Sequence, residues 1–153
     1  MAKNGFAMSN RVVVETITTA SKTLTKDDCG KQFLLSKADG IAVTLPASPA
    51  EVGSGWNVKF LVKTSVTSNI YQIVAGTLTD LFVGGLFVIS SVATKSDQFA
   101  PDGSGDNSIE MNGGTKGGLV GTFITVVSDG TNWHVHGTLA GSGTPATPFN
   151  TES

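Results

Sequence analysis

Apolar residues recur at every second position in short runs along this chain, and Gly, Pro, Asn or Asp separates one run from the next. A spacing of two places apolar side chains on one face of an extended strand and polar ones on the other. Residues 11–19 (RVVVETITT) and 31–37 (KQFLLSK) read as the first two strands. The ADG at 38–40 predicts a tight turn into IAVTLP, where Ile41, Val43 and Leu45 share one face, and hence a hairpin. In WNVKFLVK the alternation turns Trp56, Val58, Phe60 and Val62 towards a core and Asn57, Lys59 and Lys63 towards water. Leu61 interrupts the wet face and marks a contact. NIYQIVA, TDLF and LFVISSVA continue the series, punctuated by Gly76 and the Gly84–Gly85 pair. The clearest hairpin is the last, in which LVGTFITVVS and NWHVHGTL flank a turn at Asp129 and Gly130.

Helical signals are confined to two single turns. Thr25 and Asp28 have capping-box spacing closed by Gly30, and Ser48, Pro49 and Glu51 before Gly53 supply an N-cap, a first-turn proline and an N3 acid. About eight short strands with one or two helical turns predict an all-β domain, a β-sandwich, jelly roll or small β-barrel. The domain is expected over residues 11–140, with a polar N-terminal arm at 1–10 and a C-terminal tail at 141–153 whose prolines cannot continue a ladder. The stretch 96–118, rich in Gly, Asp and Asn, reads as a long irregular segment and as the leading contact loop.

Composition narrows the function. Only 14% of the 153 residues are charged, against roughly 25% in an average soluble protein, so Ser, Thr, Asn and the 19 glycines must cover much of the surface. Ten Lys and Arg against twelve Asp and Glu give a net charge of -2, and no basic run is present, which speaks against a nucleic-acid groove. No apolar stretch approaches the 18 or so residues of a membrane helix, and none follows Lys3 as a signal peptide would require. The single Cys29 cannot form a disulfide within its own chain, which fits synthesis inside a cell.

Candidate chemistry is thin. His134 and His136 stand two apart on a strand and share a face, the geometry of a two-histidine metal site. The residues that follow offer no acid before Glu152, so no metal is expected and the imidazoles are assigned to solvent or a neighbouring subunit. Asp102, Asp106 and Asn107 read as an acidic surface turn and not a calcium loop. NGGTKGG at 112–118 lacks the spacing of a phosphate loop. Cys29 lies in the turn KDDCGK with both histidines about a hundred positions away in sequence, and no serine lies in a GxSxG elbow. No catalytic residue, cofactor or small-molecule ligand is expected.

Two blocks carry a resemblance. TLTKDDCGKQFLLSKADGIAVTLPA, and NGGTKGGLVGTFITVVSDGTNWHVHGT with its SDGTNW turn, resemble recurring blocks of small virion structural proteins of tailed bacteriophages. The length, the absence of a repetitive shaft and the polar N-terminal arm favour similarity to capsid decoration (cement) proteins. That resemblance implies a non-enzymatic homotrimer, made in the host cytoplasm, that sits on the outer surface of the capsid and binds the major capsid protein. Apolar anchor candidates for such contacts are Phe6, Met8, Leu61, Phe82, Phe87, Phe99 and Phe149, with core filling favoured for Phe82 and Phe87, and Lys116 joins them from the glycine-rich stretch. The alternative is a receptor- or carbohydrate-binding module of a tail or fibre, using Trp56, Tyr71 or Trp133 as stacking platforms. An exposed ring among these three favours that alternative, whereas burial of all three favours the capsid role.

Overall fold

A computed structural model describes residues 12–153. From the first strand to the sixth the chain changes sheet at every step: β1 (Val14–Ile17), β2 (Ser21–Thr23), β3 (Gln32–Leu35), β4 (Ile41–Thr44), β5 (Asn57–Val62) and β6 (Tyr71–Val74). Odd strands pair in parallel with odd, and even with even, so the first half is a coil of two-strand turns. This corrects the hairpin expected at Ala38–Gly40. That turn carries the chain from one sheet to the other, because β3 lies between β1 and β5 while β4 lies between β2 and β6. Period-two alternation reports that one face of a strand is buried and is silent about which strand lies beside it.

The coil is held by in-register ladders. Phe33 lies opposite Phe60 with ring centroids 5.8 Å apart, Leu35 opposite Val62, Ile41 opposite Tyr71 and Val43 opposite Ile73. Tyr71 pins two sheet-crossing segments together: its hydroxyl donates to the Thr64 carbonyl at 2.6 Å and accepts from the Lys37 N–H at 3.2 Å. The two helical turns appear as read, a 3-10 turn at Lys26–Asp28 and α1 (Pro49–Val52). The Asp28 carboxylate accepts from the Thr25 N–H at 2.8 Å, and Ser48 Oγ accepts from the Glu51 N–H at 3.2 Å.

The second half is largely antiparallel. β7 (Phe82–Ser90) and β8 (Lys95–Phe99) form a hairpin, β9 (Ser108–Met111) crosses to the other sheet, and β10 (Phe123–Ser128) and β11 (Trp133–Gly141) form the expected last hairpin. β12 (Phe149–Asn150) closes against β9. The sheets therefore run β1-β3-β5-β10-β11-β7-β8 and β12-β9-β6-β4-β2. This is an all-β fold of two open sheets that share one core, with twelve strands among the described residues. The excess over eight comes from short edge strands and from the stretch 96–118, which holds most of β8 and all of β9; Ile109 and Met111 of β9 are fully buried.

The expected tail at 141–153 is also corrected. Phe149 sits in the core at 5% exposure, and Glu152 is held by its neighbours. Its carboxylate accepts from Gln72 Nε2, Ser108 Oγ and Asn150 Nδ2, while its N–H donates to Asn107 Oδ1 at 2.7 Å. The prolines of the segment lie before β12, where no ladder bond is lost.

A candidate contact face on the seven-stranded sheet

One side of the seven-stranded sheet packs on the core, and strand alternation sends every second residue outwards. The pairing registers align five of these outward positions in a row across five strands: Leu34, Leu61, Phe123, Thr138 and Phe87. Four of the five are apolar. Leu34, Leu61 and Phe123 are half-buried, and Phe87 is 42% exposed. Beyond Phe87 the same face continues through Ile89, 41% exposed, into a groove of about 270 Å³ that Leu119, Val120 and Ala140 also line. Isolated apolar residues on a surface are ordinary, whereas a contiguous apolar strip is the usual mark of a contact site.

A polar row runs beside the strip. In register it reads Gln32, Lys59, Thr125 and His136. His134 projects from the same side as His136, and Trp133 and Val135 point to the core on the other. His134 Nε2 lies 2.7 Å from Asp129 Oδ2 in the β10–β11 turn. The N–H of Asn132, the His134 imidazole and the N–H of Thr131 together hold the Asp129 carboxyl far below the usual carboxylate range. Its Oδ1 accepts both N–H bonds, at 2.7 and 2.6 Å, and Gly130 at φ +90° lets the chain close the turn. The pair thus secures the hairpin that carries Phe123 and Thr138. Among the described residues no three His, Cys, Asp or Glu side chains converge as metal ligands.

The remaining candidates fall in different places. Phe6 and Met8 lie outside the described residues. Phe82 is core, as favoured, but Phe87 faces out; LFVGGLFVIS is apolar on both faces, so its alternation could not assign them. Phe99, on the edge strand β8, is half-buried and packs against the core. Phe149 is corrected from interface anchor to core residue, since its ring is enclosed by its own chain. Lys116 is engaged within the chain, 2.7 Å from Glu110. The glycines around it admit the chain's own backbone: a Cβ on Gly113 would stand 2.3 Å from the Val66 carbonyl oxygen. In the 101–107 loop Asp106 caps the Asp102 N–H and Asp102 caps Ser104, an acidic surface turn.

The three rings offered as sugar platforms are all inside. Trp56 is 3% exposed, and Tyr71 and Trp133 are at 0%. The two indoles meet edge to face at 5.4 Å, and the Trp56 N–H donates to the Lys26 carbonyl at 3.1 Å. Sequence reasoning flagged Leu61 but missed the row it belongs to, because the row exists only once five strands are in register. Comparison with protein families, with curated proteins and with solved structures finds no match to this chain.

Proposed function

We propose that this protein is a non-enzymatic virion structural protein of a tailed bacteriophage, a homotrimeric decoration protein that binds the major capsid protein on the outer surface of the head. The observation that carries the reading is the apolar strip on the outer face of the seven-stranded sheet, in a chain whose Trp and Tyr rings are all buried. A protein that reinforces a shell needs a broad face with apolar anchors, not a cleft lined with tuned acids and bases. Low charge and a surface rich in Ser and Thr suit such contacts, and the resemblance of the 23–47 and 112–138 blocks to phage virion proteins points the same way. Burial of a protein-covered strip stabilises the assembly in proportion to the apolar area removed from water, about 25 cal/mol per Å² before ordering costs.

The test is addition of purified protein to heads of the encoding phage made without it. Saturable co-sedimentation, together with release of packaged DNA at a higher temperature than from bare heads, is the expected result. Binding to isolated tails or fibres and none to heads would overturn the reading.

A further inference from the structure

The outer face of the seven-stranded sheet is one-sided in charge. Its outward strand positions carry no acid, although the chain as a whole has twelve acids against ten bases. Lys59 lies in the polar row beside the apolar strip, and Lys63 follows β5 by one residue. Both are exposed, and neither forms an ion pair among the described residues, whereas Lys22, Lys31, Lys37 and Lys116 all do. Asp129, in the turn at the end of the sheet, is paired with His134.

We propose that this face docks a protein surface that is apolar at its centre and acidic at its rim, with Lys59 and Lys63 meeting its carboxylates. The proposal rests on the capsid reading and names the chemistry of that partner: an acidic border on the exposed surface of the major capsid protein. A second copy of this chain placed face to face about a twofold axis offers no acid on its outward strand positions to set against these lysines, and its Asp129 at the end of the sheet is already paired with His134. A nucleic-acid strand needs a dense run of cations, and here a strip of Leu and Phe occupies the centre. Charge complementarity and the apolar strip together select an acidic, partly apolar protein surface.

The experiment compares the wild type with Lys59→Glu/Lys63→Glu and Lys59→Arg/Lys63→Arg on heads lacking the protein, with thermal melts confirming that each variant folds. Charge reversal is expected to weaken binding about tenfold or more, and the arginine pair to retain it. Wild-type affinity should fall as salt rises, and that slope should be lost or inverted in the glutamate pair. Carbodiimide coupling of head-bound wild type should join Lys59 or Lys63 to Asp or Glu of the capsid protein. Equal binding by all three proteins, or coupling of these lysines only to a second copy of this chain, would overturn the inference and leave the capsid reading standing. Failure of the wild type itself to bind heads would overturn both.

Discussion

Phe149→Ala separates a core role for the chain's end from an arm role. The Phe149 ring is 5% exposed, and its backbone pairs with Ile109, a fully buried residue of β9. Truncating an enclosed phenylalanine costs about 3–5 kcal/mol, the lost transfer energy plus the cavity left behind. The lower end applies here, because β12 is a two-residue edge strand that can shift to close part of the void. For a chain of this size each kcal/mol lowers Tm by roughly 2–4 °C, so a loss of about 3 kcal/mol should lower it by roughly 6–12 °C. Thermal unfolding of the free protein followed by circular dichroism is the assay. As a control, Leu61→Ser on the half-exposed outer face should change Tm far less while weakening head binding. The reasoning is refuted if Phe149→Ala melts with the wild type and loses head binding, the behaviour of an arm residue.

Gly137 on β11 faces the Phe123 carbonyl so closely that a Cβ would stand 2.1 Å from its oxygen; Gly137→Ala should destabilise by roughly 1–3 kcal/mol or more, measured by urea unfolding. Asp28→Asn should cost about 1 kcal/mol near neutral pH, since it weakens the cap on Thr25 and the 2.6 Å pair with Lys31. Burial pushes the Asp28 carboxyl up, but the Lys31 hydrogen bond, the Thr25 N–H and the charges of Lys31 and Lys22 pull it further down, so the folded carboxyl lies below its unfolded value. The stabilisation is therefore full above about pH 4 and is lost as pH falls through the folded pKa, and the gap between wild type and Asp28→Asn should close there in melts across pH. Trp56 and Trp133 should resist quenching by iodide in the native protein and become accessible in urea; strong native quenching would reopen the carbohydrate reading.

Much of the fold was legible where local chemistry decides it. The 3-10 turn at Thr25–Asp28, the turn at Ser48–Gly53 and the Asp129–Gly130 hairpin depend on residues within five positions of one another. Inward and outward faces of β5 were equally plain, because Val58 and Phe60 alternate with Asn57 and Lys59. Strand neighbours were not legible. Leu35 and Ile41 look the same whether the turn between them folds back within one sheet or crosses to the other, and only the parallel ladders Phe33–Phe60 and Ile41–Tyr71 decide. The contact face was hidden for the same reason, since Leu34, Leu61, Phe123 and Phe87 are spread over 90 positions. Phe149 was misread because Thr and Pro around it resemble a tail, while its strand partner Ile109 and the residues that hold the neighbouring Glu152, Gln72, Asn107 and Ser108, lie far back in the chain.

The central claim is that the outer face of the seven-stranded sheet meets the shell of a phage head. A three-dimensional image of the virion, with this two-sheet fold fitted into it, tests that claim most directly. The account predicts density for the protein on the outside of the head, with Leu61, Phe123 and Phe87 turned to the shell and Lys59 beside capsid carboxylates. Density on the tail or fibres, or a fit on the head in which this face looks out to solvent, would contradict it.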